Sequence, residues 1–250
     1  MSILYVSIVI SAGLNAAVSN RQLLLFDVWV PYNFHDPAWV YWASFSFQFW
    51  CILMSAIQNL TNDFSGPLYF ITLHTHLKII MERVENIGWD PKKSQEENYN
   101  ELVNCIEDHR IVMNVFEILQ GTTGYAIFVQ FASTALVLTL EALHTIIYDL
   151  TFTEFLLVLF YFLDSTLQIL PACYYSNKFM VLTDQFVTSI FSSNFPDQSQ
   201  KFKKTAIIFM QMIQKSCVVL AGKIIPVTLA TFMSILKLSY SMLTLARQLR

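Results

Sequence analysis

Five long stretches with almost no charged residues constrain this chain more than any other feature of its sequence. A helix that crosses a bilayer needs about 20 mostly apolar residues, because the hydrocarbon core is roughly 30 Å thick. The five windows are 1–20, 37–62, 118–140, 155–177 with Asp164 alone, and 224–246 with Lys237 alone. At 55% hydrophobic and 13% charged residues, the chain is also too apolar for a soluble domain. The sequence therefore predicts an all-α fold, a polytopic membrane bundle with five spanning helices.

The distribution of basic residues between the loops predicts the direction in which the helices run. Loops 63–117 and 178–215 hold five Lys or Arg residues each, whereas loop 21–36 holds one and loop 141–154 holds none. Cytoplasmic loops of membrane proteins are enriched in Lys and Arg. Two spans separate the two basic loops, so both lie on one side, which we expect to be cytoplasmic. The C-terminus is then expected to be extracellular.

The chain divides into alternating spans and loops. Window 1–20 could instead be a signal peptide, but it lacks the basic residues with which such peptides begin. The predicted segments are spans 1–20, 37–62, 118–140, 155–177 and 224–246, outer segments 21–36, 141–154 and 247–250, and cytoplasmic segments 63–117 and 178–223. We expect helices that extend from the membrane into the cytoplasm on both sides of segment 89–100, which is polar enough to be a mobile surface segment. An amphipathic cytoplasmic helix is predicted by the helical spacing of Phe202, Ala206, Phe209, Met210 and Ile213.

No catalytic or metal-binding constellation is evident in the sequence. The chain has only six glycines, and the spacings typical of hydrolase, zinc-protease and phosphate-binding motifs do not occur. His74 and His76 are two residues apart, which places them on different faces of a helix. The net charge of −3 and the scattered basic residues do not indicate nucleic-acid binding. Asp164 is a candidate functional residue because acids are rare inside membranes, although a neighbouring helix could equally satisfy it.

The last span carries a polar stripe. Ser234, Lys237, Ser241, Thr244 and Gln248 follow one another at intervals of 3, 4, 3 and 4 residues, so they share one face of a helix. Polar groups in hydrocarbon must find water or hydrogen-bond partners. The stripe therefore faces either an aqueous pore or another helix, to which small polar residues would bind it. The pattern alone does not separate these two interpretations.

Four stretches together resemble the insect odorant receptor family over nearly the whole chain. The last span and the residues before it resemble the family's final span in "AGKIIPVTLATFMSILKLSYSMLTLARQL". "VWVPYNFHDPAWVYWASFSFQ" is similar to the family's second extracellular loop and the span that follows it. "LTDQFVTSIFSSNFPDQSQKFKKTAIIFMQMIQKS" is similar to its third intracellular loop, although Phe191 and Phe195 stand where Tyr and Trp are usual. "HRIV" fits the helix before the fifth span.

The resemblance implies a topology and an activity. Family members have seven spans, a cytoplasmic N-terminus and an extracellular C-terminus, so this chain corresponds to the third to seventh spans. The absence of the first two spans suggests a truncated gene model or a splice fragment. The resemblance also implies a subunit of an odorant-gated, non-selective cation channel in the plasma membrane of sensory neurons. Its partners would be a shared co-receptor, in a heterotetramer, and a small volatile odorant, with no cofactor.

The resemblance also assigns roles to particular side chains. The final span would line the pore with Ser241 and Thr244, with Leu245 and Leu249 at a hydrophobic gate and Gln248 at the narrowest ring. Lys237 lies awkwardly beside a cation path and has no assigned role. On the fourth span of the family, Phe45, Phe49 and Trp50 would bind the odorant, although aromatic residues also commonly fill cores. An aromatic pocket favours a small, mostly apolar ligand.

Three other classes of membrane protein remain as alternatives. A gustatory receptor shares the inverted topology, but its last span usually has five residues between Tyr and Gln, and seven separate Tyr240 from Gln248. A G-protein-coupled receptor would have a cytoplasmic C-terminus, against the distribution of basic residues. A transporter is disfavoured because no inverted repeat is evident.

Overall fold

The computed structural model describes residues 38–147, 152–214 and 217–248, and these residues are mainly helical. Their five α-helices are α1 (Ala38–Glu85), α2 (Gln95–Ile147), α3 (Phe152–Ser192), α4 (Gln200–Ile213) and α5 (Leu229–Gln248). A 3₁₀ turn, Phe195–Asp197, precedes α4, and two short strands precede α5: β1 (Leu220–Ala221) and β2 (Ile225–Pro226). The predicted span 1–20, the loop 21–36 and part of the loop 141–154 lie outside the described residues.

Helices α1, α2 and α3 are much longer than a bilayer is thick. They have 48, 53 and 41 residues, which at 1.5 Å per residue gives about 72, 80 and 62 Å against a hydrocarbon core of roughly 30 Å. By length and composition, two of the described helices are suited to crossing a membrane, Trp39–Glu85 and Gln95–Thr145. Each of these two helices is therefore long enough to cross the bilayer and to continue beyond it by several helical turns.

The chain forms two compact units whose boundary lies between Ser65 and Gly66, inside α1 and just before Pro67. The described part of the first unit is the helical segment 38–65. The second unit contains the rest of α1 and all the other elements.

The core of the second unit is built from the C-terminal part of α1, the N-terminal part of α2, the C-terminal part of α3, and α4. Its most deeply buried large side chains include Leu77, Leu102, Phe179, Phe186, Ile190 and Phe202. Burial of a side chain of this size stabilises a fold by about 1.5–3 kcal/mol. The rings of Phe116 and Phe179 stack with centroids 5.4 Å apart, which ties α2 to α3.

Helix α4 buries one face, as its sequence pattern predicts. Phe202, Ala206, Phe209, Met210 and Ile213 are its buried side chains. Its first turn is capped by Ser199, whose hydroxyl oxygen accepts a hydrogen bond from the Phe202 backbone N–H at 3.2 Å. Such a cap satisfies one of the backbone donors that a helix start leaves free.

The polar segment 89–100 is more ordered than its composition predicts, because α2 already begins at Gln95. Ser94 and Glu97 cap this start reciprocally: the Ser94 hydroxyl accepts from the Glu97 N–H, and the Glu97 carboxylate accepts from the Ser94 N–H. This arrangement is a capping box, in which two backbone donors at the helix start are satisfied together. The hydrogen bonding of Ser94 to the Glu97 carboxylate lowers the pKa of that carboxyl.

A group of hydrogen bonds, here called the polar clasp, joins residues 87–98 to residues 194–199. The Asn98 amide donates to Gln198 Oε1 at 3.2 Å, and the Gln95 amide donates to the Asp197 carbonyl at 3.0 Å. The Asn194 side chain donates to the Gly88 carbonyl at 3.1 Å. The clasp fixes the connection between α1 and α2 against the connection between α3 and α4.

Candidate functional site

The polar stripe belongs to helix α5, and a tight hairpin sets where that helix begins. In the hairpin, β1 pairs antiparallel with β2, with Ala221 opposite Ile225. Gly222 and Lys223 form the turn with φ angles of +59° and +63°, and the Ile224 N–H donates to the Ala221 carbonyl at 3.1 Å. Two successive positive φ angles are typical of a type I′ turn, in which glycine is favoured.

The first turn of α5 is fixed to the hairpin by two threonines. The Thr228 hydroxyl oxygen accepts from the Thr231 N–H at 3.3 Å, so Thr228 caps the helix. The Thr231 hydroxyl donates to the Pro226 carbonyl at 2.6 Å. The hairpin and the start of α5 therefore form one hydrogen-bonded piece.

Helix α2 holds that piece through a second group of hydrogen bonds, here called the glutamine clamp. The Gln120 side-chain amide donates to the Leu220 carbonyl, while the Leu220 N–H donates to Gln120 Oε1 at 3.2 Å. The Gly222 N–H donates to the Gly124 carbonyl at 2.7 Å. The approach is close, because a Cβ at Gly124 would lie 3.1 Å from the Leu220 carbonyl oxygen. The middle of α2 thus positions the start of the last helix.

The faces of α5 differ in their exposure. Phe232 and Ser239 are 8% and 3% exposed, and Ile235 and Leu236 are partly buried against the core. Ser234, Lys237 and Ser241 of the stripe are exposed. At 100° per residue, Ser239 lies nearly half a turn away from Ser234 and Ser241. The stripe therefore points away from the chain's own packed interior.

The structure places the predicted pore residues on this outward face as far as it describes them. Ser241 is exposed, Thr244 is half-buried and Leu245 is 52% exposed. The hydroxyls of Ser234 and Thr244 donate to carbonyls of their own helix, at 2.9 and 2.8 Å. Gln248 is the last residue of α5, with no described side-chain position, and Leu249 lies outside the described residues.

The predicted odorant-binding aromatics lie in the first unit. The Phe45 ring centroid is 5.9 Å from that of Trp42, edge to face, and 6.1 Å from that of Tyr41. Phe45 and Phe49 are half-buried, whereas Trp50 is 57% exposed. Phe45 and Phe49 are one helical turn apart, so both offer aromatic surface on one face of the helix.

A cavity of about 430 Å³ in the second unit is a feature that sequence reasoning missed. It lies between α2, α3, α4 and the segment after α4, and it is partly open to the surface. Its apolar wall includes Met113, Phe116, Phe209 and Ile213, and its polar groups include His109 and Thr183. These residues are dispersed along the chain. The "HRIV" resemblance and the helical spacing of α4 drew attention to some of them, but neither pattern indicated a cavity.

His109 is the buried polar residue of this cavity wall. It is 8% exposed, and its ring packs against those of Phe186 and Phe209, with centroid distances of 5.0 and 5.3 Å. Its Nε2 has no hydrogen-bond partner within the described residues. Burial lowers the pKa of His109 to about 4 and raises that of the neighbouring Cys217 thiol to about 12. Both groups are therefore neutral at neutral pH.

Comparison with known proteins places the chain among chemosensory receptors of insects. Residues 1–240 match the profile of the family described as 7tm Odorant receptor. Odorant receptor 33a of Drosophila melanogaster is 28% identical over 245 residues, which are 98% of this chain and 65% of that protein. Odorant receptor 33b of the same species is 28% identical over 96% of this chain and 64% of its own length. The chain thus spans less than two thirds of these relatives.

Solved structures show the same fold at lower identity. The insect olfactory receptor OR5 from Machilis hrabei superposes with a TM-score of 0.73 at 15% identity, covering 99% of this chain and 67% of that one. The structure of that receptor in complex with eugenol gives a TM-score of 0.72 with the same coverage. The architecture predicted from the apolar windows, an all-α membrane bundle, is confirmed by this likeness.

Proposed function

Because this chain belongs to the 7tm odorant receptor family, we propose that it is a subunit of an odorant-gated, non-selective cation channel that assembles with a shared co-receptor. The family is one of membrane receptors rather than enzymes. The proposed partners are a small, volatile, mostly apolar odorant and co-receptor subunits in a heterotetramer. The proposed location is the plasma membrane, with the C-terminus outside.

The orientation of the polar stripe is the observation that carries the proposal. Ser234, Lys237 and Ser241 are exposed, while Phe232 and Ser239 on the other side of α5 are buried. The described residues do not cover this face, and the charge of Lys237 on it is costly to place in hydrocarbon, which favours contact with water or with another subunit. A pore shared between subunits provides both water and contact with another subunit.

The first test is a recording of odorant-evoked current. Cells that express this chain together with an insect odorant co-receptor are expected to conduct cations in response to odorant. Cells with this chain alone or the co-receptor alone provide the comparison. The current should persist when G-protein signalling is inhibited. Responses that need G proteins, or that never require this chain, would contradict the proposed activity.

The second test concerns orientation, which is proposed from the ten basic residues in loops 63–117 and 178–215. An epitope tag placed after Arg250 is expected to bind antibody on intact cells. A tag inserted after Lys92, in the proposed cytoplasmic segment, should bind only after permeabilisation. The reverse pattern would reject both the orientation and a pore built by the outer end of α5.

The third test concerns the proposed odorant pocket. Phe45→Ala, Phe49→Ala and Trp50→Leu are expected to change the order of potency among odorants, because each removes apolar contact area from a site that selects by shape. The measurement is a dose–response series of currents, normalised to the amount of receptor on the surface.

The matched control for the Phe45 and Phe49 variants is Phe47→Ala. Phe47 lies on the same helix about 200° away from Phe45 and is 69% exposed. It should leave the potency order unchanged. The contrary outcome is that the three pocket variants reach the surface in smaller amounts, while the receptors that do reach it rank the odorants as the wild type does. These aromatic residues would then serve folding and not odorant binding.

A further inference from the structure

We propose that the cavity around His109 is a second binding site, which takes a small, neutral, mostly apolar molecule carrying one hydroxyl group. This site lies in the second unit, among residues that the odorant-channel proposal does not use. Its volume of about 430 Å³ is within the usual range of roughly 300–1,000 Å³ for small-molecule sites.

The walls of the cavity define the apolar part of such a ligand. Met113, Phe116, Phe209 and Ile213 supply aromatic, thioether and aliphatic surface from two different helices. Phe116, Phe209 and Ile213 are themselves buried, at 3–7% exposure, so the packed core holds this surface in place. Apolar walls with a few polar groups are typical of sites that bind by burial and orient by hydrogen bonding.

His109 defines the polar part of the ligand. Its imidazole forms part of the wall, is buried, and has an Nε2 without a hydrogen-bond partner among the described residues. A buried polar atom without a partner is unfavourable. In a neutral imidazole Nε2 either accepts or donates one hydrogen bond, depending on the tautomer, and a hydroxyl group can be its partner in both cases.

The charged residues of the cavity explain why the ligand should be neutral. Arg110 and Glu117 both line it, carry opposite charges and are exposed. Their charges sum to zero and are screened by solvent, so the cavity does not favour a cationic or an anionic ligand. The Thr183 hydroxyl is already bonded to the Phe179 carbonyl at 3.0 Å. His109 is thus the group best suited to orient the ligand.

The test uses the full chain in phosphatidylcholine nanodiscs and ¹⁹F NMR of two probes, 4-(trifluoromethyl)phenol and its analogue 4-(trifluoromethyl)toluene, which lacks the hydroxyl. Empty nanodiscs measure partition into lipid. Saturable binding of the phenol above that background is expected. His109→Phe, which keeps an aromatic ring, should weaken binding of the trifluoromethyl phenol by roughly fivefold, the effect of one lost hydrogen bond. Binding of the trifluoromethyl toluene should not change.

Filling the cavity gives an independent arm. Met113→Trp should abolish binding of both probes, whereas Val115→Trp, on the exposed opposite face of α2, should not. Met212→Trp, at a cavity residue that is 69% exposed, repeats the test should Met113→Trp fail to fold. The same comparison is made in a Phe45→Ala background, which removes contacts of the proposed odorant pocket, so that probe bound there does not hide the loss at the His109 cavity. Binding that survives both tryptophan variants, or no saturable binding in the wild type, would overturn the proposal.

Discussion

Replacing Gly222 by alanine is expected to destabilise the protein by roughly 2–4 kcal/mol and to lower its surface level several-fold. Gly222 has a φ of +59°, where a Cβ is strained. An added Cβ would also lie 2.9 and 3.0 Å from ring atoms of Phe128. Either the turn or the Phe128 ring must move, and the glutamine clamp would be weakened. The melting temperature of purified protein and surface labelling measure the effect.

Gly121→Ala is the matched control for this substitution. Gly121 lies on α2 close to Gln120, and a Cβ there would have no neighbour within 4 Å. Alanine is a better helix former than glycine, so this variant should be neutral or slightly stabilising. Equal losses in both variants would show that general sensitivity to glycine replacement, and not the Gly222 turn, explains the result.

The second large effect is expected at the C-terminal end of α5. If the stripe lines a pore, Gln248→Glu adds negative charge at its narrowest point and should increase block by divalent cations or their permeation. Leu245→Ala and Leu249→Ala should raise the current without odorant, because smaller side chains weaken a gate that excludes water. Single-channel recording of the receptor with its co-receptor measures both effects. In the proposed heterotetramer, side chains of the co-receptor in the same ring would reduce the size of both effects.

Met233→Ala is the control for the gate variants. Met233 is an exposed apolar residue of α5 that lies about 120° around the helix from Leu245, and its truncation should leave the unstimulated current unchanged. The alternative is that the stripe binds another helix. In that case Gln248→Glu should leave permeation unchanged and reduce assembly, at about 0.6–2 kcal/mol for each hydrogen bond lost.

The helical architecture was predictable from the sequence because burial repeats with the period of a helix. The spacing of Phe202, Ala206, Phe209, Met210 and Ile213 predicts the buried face of α4, and the structure buries those side chains. The polar composition of residues 95–100 led to a wrong expectation, because the capping of α2 by Ser94 decided the local structure there. Composition describes solvation, whereas helix starts depend on individual hydrogen bonds.

The candidate site was only partly predictable. The stripe on α5 follows from spacing alone, and its outward direction becomes evident only when Phe232 and Ser239 are seen buried on the other side. The glutamine clamp and the cavity carry no periodic signal. The clamp joins a side chain to the backbone of a distant turn. The cavity exists because helices α2, α3 and α4 leave a space between them.

The polar clasp and the glutamine clamp both join residues about one hundred positions apart, and this spacing has a consequence during synthesis. Asn98 bonds Gln198 and Gln120 bonds Leu220, each pair separated by 100 residues. At roughly 5–20 residues per second, a ribosome needs about 5–20 s to deliver the second partner after the first. During that interval the amides of Asn98 and Gln120 have no native partner. The nascent chain therefore passes through a period of seconds in which chaperones and quality-control proteases meet an unfinished receptor.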